Sequence, residues 1–215
     1  MRARSEPGRA VYAELGDTLM AIKMQLESAI QAEARLIARD EQAHRRSARA
    51  DRASLSIRQI SAELGSVLLD TLGMAATIEW YLHQFQKCTA IHCELCIDDG
   101  LRAGLAEEYA TAIFEVFHEA LSNVAHHSRA RKIAITVSIT PLQVALVVRD
   151  DGIGIAETQA RDANFGGLAK IRECANSHRG RCSIVGAPDR GTTLSVSLPL
   201  TGTGGHRWET TAMRQ

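Results

Sequence analysis

The 215-residue chain is predicted to be α+β in two parts. A two-helix hairpin, forming a four-helix bundle in a dimer, precedes an α/β sandwich of one sheet and its covering helices. Three observations predict this. Residues 17–64 contain neither glycine nor proline and carry an apolar stripe at helical spacing. Residues 65–73 begin and end on glycine, as a joint between domains would. Beyond residue 90, short alternating apolar runs are interleaved with longer stretches of helical period.

In the hairpin, Leu15, Leu19, Ile22, Leu26, Ala29 and Leu36 step by fours and threes, interrupted only by Glu33. The charged run HRRSARADR over 44–52 marks a solvated bend, after which Ile57, Ile60, Leu64 and Val67 resume the stripe. One hairpin cannot cover its own apolar face, so a second copy is the expected partner and the chain is read as a homodimer. Packing against the following domain is the competing arrangement. The domains expected are 8–68 for the hairpin, 69–200 for the sandwich and 201–215 for a Gly- and Thr-rich disordered tail.

Within the sandwich, residues 74–87 read as a helix with Trp80 and Phe85 in the core, and 91–97 as a strand ending in the turn Asp98-Asp99-Gly100. A long helix is expected over 105–127, where Ile113, Val116, Phe117, Ala120, Leu121 and Val124 recur at helical spacing. Strands follow over 132–139, 143–149, 181–185 and 193–198, with a helix over 167–177 between the second and third. Antiparallel strands with helices on one face are the expected arrangement.

Composition narrows the function. Lys plus Arg equals Asp plus Glu at 25 each and aromatics are 4%, so neither a global field nor a base-stacking platform favours nucleic acid. No apolar run approaches the ~18 residues of a membrane span and no basic-then-apolar leader opens the chain; it is read as cytoplasmic, without membrane contact, either complete or the catalytic part of a larger receptor. The five cysteines, at 88, 93, 96, 174 and 182, lack framework spacing and are read as reduced. A metal or redox site at Cys93-x-x-Cys96 with His92 is disfavoured, because residues three apart on a strand face opposite sides. Cys174 and Cys182 are read as packing residues.

The chemistry gathers around Asp150-Asp151-Gly152-Ile153-Gly154, which follows the strand-like run 144–148. Glycines let backbone approach a flat ring or phosphate closely, and an aspartate beside them can accept from an exocyclic amine. An isolated D-x-G-x-G is equally a surface turn; its neighbours in order are Glu119-x-x-x-Asn123, Gly166-Gly167-Leu168 and Arg190-Gly191-Thr192-Thr193. Glu119 and Asn123, four apart, share a helix face. An amide oxygen suits magnesium where phosphates supply the other ligands, and a carboxylate can polarise a nucleophile; a solvated polar stripe is the alternative. His126 and His127 end the helix, where the dipole favours imidazole whatever its function.

The blocks HEALSNVAHHSRA, VVRDDGIGI, FGGLAKIREC and DRGTTLSVSLPL resemble, in order and spacing, the N, G1 and G2 boxes of the ATPase superfamily shared by histidine kinases, gyrase, MutL and a heat-shock chaperone. With LLDTLGMAATIEWYLHQFQKCTAI upstream, residues 10–200 resemble sensor histidine kinases of the nitrate-sensor subfamily. The resemblance implies ATP and Mg2+ as cofactors and a response-regulator receiver domain as partner. It implies Asn123 as magnesium ligand, Glu119 as catalytic base and Asp150 as acceptor of the adenine amine. Gly152 and Gly154 would admit the nucleotide, Gly167 and Leu168 would hold the phosphate side of a lid over 156–165, and Thr192 would close the adenine end. His127 matches the family's usual histidine, and His126 the preceding basic position that leans towards phosphate.

Departures from the family pattern bear on activity. The subfamily's phosphoacceptor histidine precedes an acidic residue; here Gly16 precedes Asp17, and the phosphatase glutamine position holds Ala21. Gly16 inside a helix costs ~1 kcal/mol relative to alanine. Neither His44, which lacks an acidic follower, nor His83, beyond the hairpin, replaces the acceptor, because transfer requires an acceptor close to the γ-phosphate. Lys170 stands where the second glycine box usually has another glycine. Three readings follow: a kinase core whose autophosphorylation is silenced at Gly16, a pseudokinase scaffold pairing with an intact kinase or regulator, and an anti-sigma type protein-serine kinase, which the hairpin argues against.

Overall fold

A computed structural model of the chain describes residues 68–156, 158, 160 and 166–200. The hairpin apart from its last residue, most of the expected lid and the tail lie outside the described residues.

A helical turn at 68–72 breaks at Gly73 (φ 79°), whose carbonyl accepts the Thr77 hydroxyl at 2.8 Å. Helix α1 (Met74–Thr89) follows and turns Met74, Ile78, Tyr81, Leu82 and Phe85 inward at three- and four-residue steps. Phe85 is buried as expected, and Trp80 is half-buried against the same core. Strand β1 (His92–Ile97) leads to a 3₁₀ turn at Asp99–Ala103, capped by Asp98 Oδ1 accepting from the Gly100 amide at 2.9 Å. Helix α2 (Glu107–Asn123) starts with two glutamates in its first turn, which the helix dipole favours. Its apolar face buries Ile113, Phe114, Val116, Phe117 and Leu121.

The helix expected over 105–127 ends early. Regular α-helical bonding stops at Asn123, and Val124–Ser128 form one wider π turn. The Ser128 hydroxyl closes this turn by donating to the Val124 carbonyl at 2.7 Å, and Arg129, at φ 54°, leads the chain out of it.

Strands β2 (Lys132–Ile139) and β3 (Gln143–Asp150), helix α3 (Gly166–Ser177), and strands β4 (Arg181–Gly186) and β5 (Thr192–Pro199) complete the domain. The sheet order is β1-β2-β3-β5-β4. The pairs β2–β3, β3–β5 and β5–β4 are antiparallel, as expected. β1 instead joins parallel to β2: helix α2 connects the two strands and returns the chain to the end of the sheet where β1 began, a crossover that parallel pairing requires.

Cross-strand rows such as Ile135–Val148–Leu194 and Val137–Leu146–Val196 fill one face of the sheet, each side chain no more than 6% exposed. Phe85, Phe117 and Ile171 from the three helices belong to the same core. The alternate positions, among them Thr136, Ala145, Ser195 and Ser197, are small or polar and partly open to solvent, the pattern of a sheet covered on one side.

Phe117 is 0% exposed, and Phe117→Ala is expected to destabilise the domain by about 3–5 kcal/mol through lost burial and the cavity left behind. Leu142→Ala at the 78%-exposed hairpin tip is expected to stay within about 0.5 kcal/mol of the parent. Denaturant unfolding of both variants checks the contrast.

Candidate functional site

The inward positions of β3 run Val144, Leu146, Val148 and Asp150, so the core alternation places a carboxylate at its fourth step, in register with Ile133 of β2. Asp150 is 7% exposed. An unpartnered carboxylate there would cost several kcal/mol. Its Oδ1 accepts from the Gly152 amide at 2.8 Å, and the Thr192 amide and hydroxyl, at the start of β5, also favour the ionised form. Burial outweighs these bonds and raises the Asp150 pKa above the ordinary aspartate value, with the neighbouring Asp151 charge acting in the same direction.

A cavity of about 280 Å³ lies beside this carboxylate. Asp150, Thr192, Asn123 and His127 supply polar groups to its wall, with apolar side chains such as Val148 and Leu168. The wall thus combines apolar side chains with one fixed acceptor, an arrangement suited to a heteroaromatic ring bearing an amine.

The loop after Asp150 is held by main-chain bonds. The Ile153 amide donates to the Ser128 carbonyl at 2.8 Å, and Gly191 N donates to Gly152 O at 2.9 Å. A side chain at position 152 would collide with that Ser128 carbonyl, so only glycine permits the approach. Gly154, at φ 73°, lines the cavity.

Asp151 is exposed and is not part of the cavity wall. Its exposed Oδ1 accepts from the Arg131 and Lys132 amides at 2.8 and 2.9 Å, strapping the end of β3 to the start of β2. The Lys132 amide bond is the main cause of a pKa below the usual aspartate value.

Glu119 and Asn123 converge beneath Gly167 at the start of α3: a Cβ there would collide with Glu119 Oε1 and lie 3.1 Å from Asn123 Nδ2. That Nδ2 is buried without a hydrogen-bond partner. Rotating the amide by half a turn presents Oδ1 at the same position, so the side chain fits a ligand oxygen for magnesium when phosphates complete the shell. Among the described residues no group of three or more His, Cys, Asp and Glu side chains is placed to hold a metal by itself.

The two histidines part company in the π turn. His127 lines the cavity. The half-buried His126 turns back, its Nδ1 lying 2.8 Å from the Ser122 carbonyl and 3.3 Å from the Ser122 hydroxyl; the carbonyl accepts, so Nδ1 carries the proton. Leu168 is 9% exposed on the cavity wall, and Lys170 is exposed farther along α3. Gly16 and Asp17 lie outside the described residues.

Burial pushes the Cys93 and Cys174 thiols up to about 11 and raises Cys182 as well, which keeps all three protonated and inert at neutral pH. Cys93 is half-buried and Cys96 exposed along β1. Sequence reasoning passed over Ser128 and the strap made by Asp151. A serine at a helix end, where its hydroxyl can bond back to the carbonyl four residues earlier, is the only local signal for the first.

Residues 108–202 match the family model described as histidine kinase-, DNA gyrase B-, and HSP90-like ATPase. The chain is 30% identical over 146 residues to the signal transduction histidine-protein kinase/phosphatase DegS of Brevibacillus brevis, covering 67% of this chain and 37% of that protein. It is 32% identical over 164 residues to the sensor histidine kinase NarS of Mycobacterium tuberculosis, covering 75% and 37%. The chain therefore spans little more than a third of the length of these relatives. Its fold is similar to the histidine kinase domain of the Erythrobacter litoralis EL346 blue-light activated histidine kinase, with a TM-score of 0.56, 18% identity, and coverage of 83% of this chain and 94% of that one. The sandwich is a histidine-kinase-type ATPase domain.

Two aspartates one residue apart are expected to titrate in opposite senses. The raised pKa of Asp150 means that the folded chain binds more protons above the ordinary aspartate value, so ionised Asp150 weakens the fold as pH rises through that window. Asp150→Asn is expected to abolish this slope and to leave the ligand-free domain at least as stable at pH 7. Asp151, with its lowered pKa, stabilises above the ordinary value and loses this contribution as pH falls through its folded pKa. Asp151→Ala is expected to cost about 1 kcal/mol at pH 7 for the two amide bonds lost, and less as pH falls through the folded Asp151 pKa, as read from Tm against pH.

Proposed function

We propose that this histidine-kinase-type ATPase domain binds ATP with magnesium and forms the core of a cytoplasmic two-component sensor kinase of the nitrate-sensor subfamily, dimerised through the hairpin over 8–68. The observation that carries the proposal is the Asp150 carboxylate, buried at an inward strand position and open to a cavity that also receives the Asn123 side chain. A buried acceptor of this kind is costly in the free protein and is compensated when a ligand amine donates to it.

In this reading Asp150 accepts from the adenine amine, while the apolar wall at Val148 and Leu168 covers the ring. Thr192 donates to the carboxylate, which favours its ionised form, and closes the adenine end. Gly152 and Gly154 let backbone approach the nucleotide, His127 lines the cavity wall, and Gly167 and Leu168 hold the phosphate side of the lid. Asn123 supplies an oxygen to magnesium, which neutralises phosphate charge when bound. Glu119 takes the proton from a histidine imidazole as its nitrogen bonds to the γ-phosphorus; the bond from γ-phosphorus to the bridging oxygen breaks and ADP leaves. The phosphoryl group then passes to an aspartate of a response regulator. Positioning and charge neutralisation supply most of the rate, as in other phosphoryl transfers.

Gly16 stands where the acceptor imidazole belongs, and this favours a second reading, an ATP-dependent scaffold that pairs with an intact kinase or regulator. Incubation with γ-labelled ATP separates the two. Under the kinase reading the parent chain binds ATP without becoming labelled, and Gly16→His becomes labelled. Labelling of neither, with ATP bound by both, supports the scaffold; a stable phosphohistidine on the parent overturns the silenced-kinase proposal.

Asp150→Asn is expected to weaken ATP binding by about 2 kcal/mol, or roughly 30-fold, because a charged acceptor is lost. In the Gly16→His background, Glu119→Gln is expected to slow labelling by about 10²-fold or more while ATP affinity changes by less than about threefold. Equal losses in labelling rate and affinity would remove Glu119 from the base position.

A further inference from the structure

The turn that leaves α2 meets the Asp150–Gly154 loop through one residue with no role assigned so far. Ser128 is 8% exposed and uses both its polar groups. Its hydroxyl donates to the Val124 carbonyl at 2.7 Å and accepts from the Ala130 amide at 3.0 Å, which fixes the π turn on one side and the exit towards β2 on the other. Its carbonyl accepts from the Ile153 amide at 2.8 Å, and only glycine at position 152 leaves room for that carbonyl. One serine therefore ties the end of the helix carrying Glu119 and Asn123 to the loop carrying Asp150 and Gly154.

We propose that Ser128 is a positioning residue of the nucleotide site, whose hydroxyl sets the Asp150–Gly154 loop against Asn123 so that the adenine and phosphate contacts fall in register. The role rests on the nucleotide-binding reading above. Without the hydroxyl, the Val124 carbonyl and the Ala130 amide lose their shared partner, and the π turn is free to relax towards ordinary α spacing. That relaxation turns the Ser128 carbonyl away from the Ile153 amide and releases the loop. ATP, which must reach both Asp150 and Asn123, feels the change in full. Adenosine, which engages the Asp150 side alone, feels less of it. A serine that served only general stability would weaken both ligands alike.

The test uses the full chain with Ser128→Ala and Ser128→Thr, titrated with magnesium ATP and with adenosine, together with amide exchange at Ile153. Ser128→Ala is expected to raise the ATP Kd by about tenfold, the usual scale for losing a residue that orients a binding group. The ratio of adenosine Kd to ATP Kd should shrink, and the Ile153 amide should exchange faster while those in the middle of β3 do not. Ser128→Thr, which keeps the hydroxyl, should restore the ratio. Should the threonine variant fail to fold, the Ile153 exchange and the ligand ratio in Ser128→Ala decide the matter. An unchanged ratio in a folded Ser128→Ala protein, or equal losses for both ligands, overturns the positioning role while leaving the nucleotide site standing. Failure of the parent chain to bind magnesium ATP overturns the nucleotide reading, and this role with it.

Discussion

A carboxylate where the sheet's alternation calls for a hydrocarbon is the constraint from which the rest of the site follows. Asp150 occupies an inward position of β3 in line with Val144, Leu146 and Val148, and burial makes its charge unwelcome. The surroundings answer with donors: the Gly152 amide from the loop that follows, and Thr192 from β5. The loop must therefore turn immediately after the strand, and it can do so only because position 152 carries no side chain to strike the Ser128 carbonyl. The location of β5 beside β3 is equally necessary, since it brings the start of one strand to the end of the other.

Part of this was legible in the sequence. The apolar run 144–148 marks a strand with Asp150 just past it, but five apolar residues in a row do not say which face is covered; the alternate burial that turns Asp150 inward is seen in the folded strand. The spacing of Glu119 and Asn123 likewise fixed their common helix face, and the structure brings both beneath Gly167. The parallel pairing of β1 was less accessible. Periodicity reports which face a residue occupies but not which neighbour its strand selects; that depends on the connection, and here the whole of α2 intervenes.

The end of α2 shows a different limit. Apolar periodicity continues through Val124, so the pattern alone extends the helix over both histidines. Regular α-helical bonding stops at Asn123, and in the π turn that follows the Ser128 hydroxyl bonds the Val124 carbonyl, His126 bonds back to Ser122 and His127 lines the cavity wall. Two adjacent residues with the same chemistry thus receive different surroundings. One hydrogen bond, from the Ile153 amide to the Ser128 carbonyl, ties this turn to a loop 25 residues later in the chain, beyond the reach of any window of local sequence.

Two polar groups of the site are costly to bury. The free domain holds a carboxylate whose ionisation burial opposes and an Asn123 Nδ2 without a hydrogen-bond partner. With the amide turned over so that its oxygen takes that position, both liabilities would be relieved by one class of ligand, with a hydrogen-bond donor for the carboxylate and a cation for the amide oxygen. Binding then stabilises the fold by mass action, about 2.7 kcal/mol at a ligand concentration a hundred times Kd. The residues that carry these groups, from α2, β3, the start of α3 and β5, all belong to the sandwich, so the proposed nucleotide contacts can be tested separately from the substitution proposed at Gly16, which lies outside the described residues.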